Sequence, residues 1–416
     1  MKAAARSSVA ALCLAALASA CVREPPRASS TPAHPLTLDT HIDIPLDYAT
    51  AASDPLNADL KVNLTKMAAG GLDVGFFIVY VDQTARTNEG YEKAKTEAET
   101  KFAAIHRMAE QLYPERIEIA YSAADVPRIA AMPKLVAVIG VENGYSLGPN
   151  LERLDHFYEL GARYMGLVHD GDNDLARSAR PNLALGDAAE SSSGVTALGA
   201  AAIARMNRLG IMVDVSHGAK QTALDAMRLS AAPVIASHSG IAGVNAHPRN
   251  LDDEALLALK ANGGVVQVVA FDGYLKAQPA EKAAAQRELR QSVGLTGDVR
   301  LSALAAEQRA AYESGLRNIE ARWPSATVSD LVDHIDYAVR LIGVDHVGIA
   351  SDFDGGGGVT GWNDASETFN VTKELVRRGY TEEQVAQLWG GNLLRVWREV
   401  ERRAGELREA VASTEP

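Results

Sequence analysis

Cysteine is scarce in this 416-residue chain: Cys13 and Cys21 are the only two. Both stand near the N-terminus, so no internal disulfide can staple the body of the protein and its fold has to rest on a packed core. Aromatic residues are also few, at 6%, and acidic residues outnumber basic ones to give a net charge of -12. With no basic patch interleaved with stacking rings, nucleic acid is excluded as a partner, and the same charge argues against an anionic membrane surface. Past residue 20 no apolar run approaches the roughly 18 residues of a transmembrane helix. No Gly-x-Gly-x-x-Gly follows the first strand-like run, and no Lys-Ser/Thr follows the glycine run 355–358. Dinucleotide and P-loop phosphate sites are thereby excluded, and the glycine run reads as a mobile rim loop.

What is present is an ordinary globular composition, 47% apolar and 23% charged, behind a targeting segment. Residues 1–20 read as a signal peptide: Lys2 and Arg6 precede a short apolar stretch, and Ala18-Ser19-Ala20 offers a small-residue cleavage site. Leu17-Ala18-Ser19-Ala20-Cys21 resembles a bacterial lipoprotein box, although Ala18 stands where a larger aliphatic residue is usual. The expectation is an exported protein of the bacterial cell envelope, lipidated at Cys21 and facing the periplasm. Its alternative is a soluble periplasmic protein released by ordinary cleavage after Ala20. The membrane enters only through that anchor. Residues 21–35, rich in Pro and Ser, form a tether. Residues 36–405 form one domain and 406–416 a charged tail, with fraying expected beyond Arg403.

Within the domain, short β-branched runs alternate with helical patterns, the mark of βαβ units and a parallel sheet. Strands are expected at 37–44, 73–81, 135–142, 163–169, 211–217, 233–238, 264–271 and 346–352. Several are apolar almost throughout, as strands buried on both faces are. Eight such units favour a TIM-type (β/α)8 barrel, an α/β fold, over an open doubly wound sheet. A barrel alone needs about 250 residues. Helical insertions must therefore interrupt it, the largest between Lys276 and Ile342 with helices at 279–292, 301–322 and 328–342.

Polar residues stand at the far ends of these strands: His41 and Asp43 on the first, Glu142 on the third, His169 on the fourth, His217 on the fifth, His238 on the sixth and Asp352 on the eighth. Alternate side chains of a strand share a face, so His41 and Asp43 emerge together. Taken singly, each has a plain explanation: a satisfied strand-end histidine, a solvated turn carboxylate or, for Asp352, a helix cap. Seven on one rim, where a barrel gathers its catalytic groups, point instead to a metal site, and zinc accepts both ligand types. Two look-alikes fall outside it. Asp333-His334-Ile335-Asp336 repeats the His-x-Asp spelling within a helical pattern, where residues two apart diverge. His346 opens its strand and would lie at the opposite end of the barrel.

The ordered motifs resemble the membrane (renal) dipeptidases from about residue 36 to 400. The resemblance is carried by Asp39-Thr40-His41-Ile42-Asp43, Gly140-Val141-Glu142-Asn143-Gly144, Tyr164-Met165-Gly166-Leu167-Val168-His169, Asp214-Val215-Ser216-His217, Ser237-His238-Ser239, His247-Pro248-Arg249-Asn250 and Asp352-Phe353-Asp354-Gly355. It implies an amidohydrolase-like barrel with two Zn2+ per chain. One ion would be held by His41, Asp43 and Glu142 and the other by Glu142, His217 and His238, with Glu142 bridging. No Lys occurs in 163–169, where related amidohydrolases draw a carbamylated lysine bridge, and this fits a glutamate in that role. The resemblance further implies hydrolysis of small dipeptides, including those with a C-terminal D-residue, by a hydroxide shared between the ions. Asp352 would carry the proton, and His169 would contact the substrate carbonyl, with a further metal ligand as its second role. Arg249 would capture the C-terminal carboxylate. Family members often form homodimers, although no interface is legible in the sequence.

Three loops depart from the family pattern: Asp170-Gly171-Asp172-Asn173-Asp174, Ala270-Phe271-Asp272-Gly273-Tyr274, and the glycine run leading to Trp362 and Phe369. They are expected to line the substrate pocket, so side-chain preference and any β-lactam hydrolysis stay open. A deacylase or lactonase on the same metal site is the alternative activity, and a binding lipoprotein with a structural metal is the non-enzymatic one.

Overall fold

The structure is a computed structural model in which residues 35–190, 192–295 and 304–413 are described. The signal-like segment, Cys21, all but the last residue of the tether and the start of the helix expected from residue 301 lie outside the described residues. The strands are β1 (Leu38–Asp43), β2 (Val74–Tyr80), β3 (Ile117–Ile119), β4 (Leu135–Glu142), β5 (Ala162–Gly166), β6 (Met212–Asp214), β7 (Ile235–Ser239), β8 (Val265–Val269) and β9 (Val347–Ala350). They pair in parallel in the order β1-β2-β4-β5-β6-β7-β8-β9, and β3 joins the start of β4 off this path. The eight strands on the path are those expected. β3, with only three residues, is too short to show a period.

The ends of the sheet meet. The Asp43 N–H donates to the carbonyl of Phe353, just past β9, at 2.9 Å, and the Ser351 N–H donates to Asp39 Oδ1 at 2.9 Å. This nearly closes a TIM-type barrel. Four strands stop two or three residues short of their expected ends: β5 at Gly166, β6 at Asp214, β8 at Val269 and β9 at Ala350. His217, with φ +66°, has left-handed backbone that no strand can contain, and Asp352 at +57° likewise lies beyond β9. His169, His217 and Asp352 therefore ride on the loops that follow the strands.

Alternation along the strands divides the core. Val74, Phe76 and Ile78 pack with Val136, Val138, Tyr164 and Met212, and the set is floored by Trp397. Phe77, Val79, Ile139 and Val141 pack instead with the surrounding helices. Leu38 belongs to the first set and Ile42 to the second, although an unbroken strand would put residues four apart on one face. The register irregularity between Asp39 and Ile42 makes that switch and turns His41 and Asp43 inward together.

The large insertion forms helices Ala280–Ser292, Ala306–Arg322 and Val328–Ile342, the last opened by a capping box between Thr327 and Asp330. Lys282 fastens it. Fully buried, its ammonium reaches Asp272 Oδ2 at 3.0 Å, Glu320 Oε1 at 3.3 Å and Ser325 Oγ at 2.6 Å. The fraying expected beyond Arg403 is not found: helix Asn392–Ala412 runs on, with Ala404 buried and Arg408 donating to the carbonyl of Arg208 at 2.7 Å. No helix among the described residues is long and apolar enough to cross a membrane.

Candidate metal centre

Five of the seven rim residues, Asp43, Glu142, His169, His217 and Asp352, line one cleft of about 1050 Å³, and His41 and His238 are buried within ligand distance of them. Glu142, at the end of β4, lies at their centre. Its Oε1 is 3.1 Å from His217 Nε2 and 3.4 Å from His238 Nε2, and its Oε2 is 3.5 Å from His41 Nε2. His41 Nε2 is also 3.6 Å from Asp43 Oδ2 and 3.9 Å from Asp352 Oδ1. Three sets bring possible ligand atoms within 4.8 Å of one another: His41, Glu142 and His238; Glu142, His169 and His217; His41, Asp43 and Asp352. Glu142 thus turns one oxygen to each side of the cluster, the arrangement a bridge requires. His169 and Asp352 fall within ligand distance as well as facing the cleft.

Outside partners set the tautomer of each imidazole. The Tyr164 hydroxyl donates to the carbonyl of Thr40 at 3.1 Å, so His41 Nδ1–H, 2.9 Å from the Tyr164 hydroxyl oxygen, donates to that hydroxyl. Ser237 Oγ donates to Asp214 Oδ2 at 2.7 Å and accepts a hydrogen bond from His238 Nδ1–H at 2.9 Å. His217 Nδ1 donates to Asp170 Oδ1 at 3.2 Å. All three Nε2 atoms consequently present lone pairs, and those of His217 and His238 face each other at 2.9 Å. His41 Nε2 is buried and makes no hydrogen bond among the described residues. Lone pairs and carboxylate oxygens converging in a water-poor pocket repel one another unless positive charge lies among them. The donor set, imidazole nitrogens with carboxylate oxygens and a carboxylate facing both ways, fits a pair of divalent cations of the zinc type.

Electrostatics agree. Burial would lower His41, yet Glu142 and Asp43 outweigh it and hold the imidazole well above its usual range. A cation held there would take the place of that proton. Burial lowers His217 to about 4, helped by Arg249 and His169, and pushes His238 well down, so both are neutral at pH 7, as metal ligation would require. Burial alone would raise Glu142, but His41, His169 and His217 keep it far below the ordinary carboxylate range. Asp170 is likewise raised by burial and brought down to about 2 by His217, His169 and Arg180. Asp352 behaves differently: burial, with Asp43 and Glu142 beside it, pushes its carboxyl up to about 8.

Two close approaches need glycine. A Cβ on Gly140 would lie 2.4 Å from the Tyr164 ring, which crosses the barrel there to reach His41. At Gly355 it would strike Asp43 Oδ2 at 2.1 Å and Asp352 Oδ1 at 2.5 Å. The glycine run is accordingly tied down rather than loose: Gly357 N–H donates to Asp352 O and Gly358 N–H to Ala270 O, each at 2.7 Å. Left-handed backbone at Asn143, His217, Asp352 and Asp354 costs about 1–3 kcal/mol each, strain of the kind that gathers at functional sites.

Arg249 adjoins the site without lining the main cleft. It is buried, donates to the carbonyl of His238 at 3.2 Å, and lies 5.3 Å from the Tyr274 ring centre, while its Nε has no hydrogen-bond partner among the described residues. Arg180, which does line the cleft, sits over the same ring at 5.8 Å. Of the departing loops, Asp170, Phe271 and Tyr274 line the cleft as expected. Trp362 does not; it is buried against Phe353 and Trp389, and Phe369 is half exposed outside the cleft. Large aromatic size let a core side chain and a surface one pass for pocket walls. His334 is a core histidine bonded to Ile241 N–H and the carbonyl of Leu275, and His346 precedes β9. Tyr164, Asp170, Ser237 and Asp214, which orient the ligands, were not singled out by spacing. A tyrosine inside an apolar strand, whose hydroxyl must find a partner, is the one available signal.

Known proteins place this geometry. The chain is 30% identical over 345 residues to dipeptidase tcpJ of Claviceps purpurea, covering 82% of this chain and 69% of that protein. It is 28% identical over 356 residues to dipeptidase aclJ of Aspergillus oryzae, covering 84% and 72%. The crystal structure of the probable dipeptidase PvdM from Pseudomonas aeruginosa superposes with a TM-score of 0.77 at 34% identity, over 89% of this chain and 96% of that one. A Rhodobacter sphaeroides metallopeptidase liganded with a phosphinate mimic of the dipeptide L-Ala-D-Ala shares the fold, with a TM-score of 0.66 at 22% identity over 88% and 99%. The family model described as membrane dipeptidase (peptidase family M19) matches residues 27–411, so the chain belongs to that family of metallo-dipeptidases and is a hydrolase.

Proposed function

We propose that this protein is an exported dipeptidase that holds two zinc ions, one at His41, Asp43 and Glu142 and the other at Glu142, His217 and His238. The observation that carries this is the convergence of three Nε2 lone pairs, each fixed by a partner behind its ring, on the two oxygens of Glu142. When bound, such an ion pair supplies a Lewis acid and a water acidified towards neutral pH. The chain's own residues do the rest. Asp352 takes the proton of the attacking water and passes it to the leaving amine. His169, at the cleft wall between Tyr80 and His217, steadies the carbonyl oxygen as charge develops on it. Arg249 and Arg180, both close to the Tyr274 ring, draw the free C-terminal carboxylate to that end of the cleft. The relative that binds an L-Ala-D-Ala mimic supports dipeptides, D-residues at the second position included.

A panel of L-L, L-D and D-L dipeptides, assayed beside N-acyl amino acids and lactones with metal analysis, tests the assignment. Dipeptide turnover with about two zinc ions per chain is expected. Activity confined to N-acyl amino acids and lactones would make the enzyme a deacylase or lactonase instead.

Export and lipidation at Cys21 belong to the same proposal, supported by the N-terminal pattern. In a bacterial host, the wild type is expected to incorporate palmitate and sediment with membranes, and Cys21→Ser to do neither. Equal sedimentation of the two would remove the lipid anchor.

A further inference from the structure

Among the described residues two lysines are more than nine-tenths buried, and they contrast. Lys282 is surrounded by Asp272, Glu320 and Ser325, as a structural lysine should be. Lys101, on helix Asn88–His106, is 7% exposed and lines the cleft, yet its ammonium makes no hydrogen bond or ion pair among the described residues. Its one close partner is the Tyr80 ring, 5.3 Å from Nζ to the centroid. Most of the side chain is buried while its end opens on the cleft, so a partly desolvated ammonium there gains from an incoming anion. Asp43, Glu142 and Asp82 offset its burial only at a distance, and burial still pulls the ammonium below the usual lysine range.

The placement of Lys101 narrows what that anion is. It lies on the Tyr80, Asp43 and Glu142 side of the centre, whereas Arg249 and Arg180 lie beside His238 and Tyr274. A dipeptide whose C-terminal carboxylate meets the arginines, with its amide over Glu142, extends its N-terminal residue towards Tyr80 and Lys101. Asp82, which accepts the Tyr80 hydroxyl at 2.5 Å and also lines the cleft, offers a carboxylate for the α-ammonium. Lys101 is then left for a second carboxylate.

We propose that Lys101 selects dipeptides whose N-terminal residue carries an acidic side chain. The proposal rests on the dipeptidase reading. Its test compares kcat/KM for the matched pairs Glu-Ala and Gln-Ala, and Asp-Ala and Asn-Ala, with Ala-Ala alongside. The wild type is expected to favour the acid over its amide by about tenfold or more, the size of a hydrogen bond to a charged group. Lys101→Met, which keeps the apolar stem, should bring that ratio to about one, and Lys101→Arg, which keeps the charge, should hold it above one. A wild type that cleaves Ala-Ala but shows no preference for the acids overturns the proposal alone. So does a Lys101→Met enzyme that loses Glu-Ala and Gln-Ala activity equally, since that marks a positioning role. No turnover of any dipeptide overturns the dipeptidase reading, and the selectivity with it.

Discussion

Asp352→Asn is expected to lower kcat by about 10²–10⁴-fold, the range for losing a positioned general acid–base, while the proposed metal ions stay bound. The substitution keeps the size of the side chain and removes its ability to shuttle a proton. Asp352 suits that task for reasons visible in the fold. It stands past β9 on left-handed backbone, 3.9 Å from His41 Nε2, in space kept open by the missing side chain of Gly355. Burial beside Asp43 and Glu142 pushes it up to about 8, so among the site carboxyls it is the one poised to carry a proton near neutral pH. Divalent charge at the centre would draw that value down, leaving a base for the first step and an acid for the second. Steady-state kinetics together with metal analysis of the same preparation decide the matter. Unchanged kcat would remove Asp352 from the chemistry. Loss of one metal equivalent would make it a ligand, a role its grouping with His41 and Asp43 leaves within reach.

The parts of this site that sequence reveals are those whose meaning is periodic. The eight path strands follow from apolar runs at βα spacing, and the seven rim residues follow from their position at the ends of those runs. What sequence hides is pairing at long range. Nothing at position 164 announces that its hydroxyl meets an imidazole 123 residues earlier, because in one dimension a tyrosine in an apolar strand is merely a large β-former. Ser237 and Asp214 lie inside recognisable motifs, yet their relay to His238 exists only once β6 and β7 are side by side. Lys101 is the extreme case. On a helix rich in Glu and Lys it reads as one more solvated charge, and only the fold turns it inward. Arg249 errs in the other direction: a loop arginine suggests an exposed rim, whereas its guanidinium is buried behind His238.

Glu142→Gln is expected to have the larger effect on the centre itself, reducing metal content from about two ions to one or fewer and removing dipeptide turnover. The native carboxylate turns an oxygen with free lone pairs to each side, one towards His217 and His238 and one towards His41. An amide accepts only on its oxygen, and its NH2 group must then face one of the two sides with donors. Whichever way it turns, one ligand set loses an oxygen and gains an N–H aimed at the space a cation would fill. The buried cluster also loses the negative charge that His41, His169 and His217 hold ionised. Tyr164→Phe provides the scale for this loss. It frees the His41 tautomer without touching a ligand, and second-layer changes of that kind cost about 10–100-fold in metal affinity. Metal titration of the two variants should therefore rank Glu142→Gln clearly below Tyr164→Phe, with folded protein in both confirmed by circular dichroism. If Glu142→Gln instead keeps two tightly bound ions, the bridge is wrong and each ion must be held by the histidines with Asp43 or Asp352.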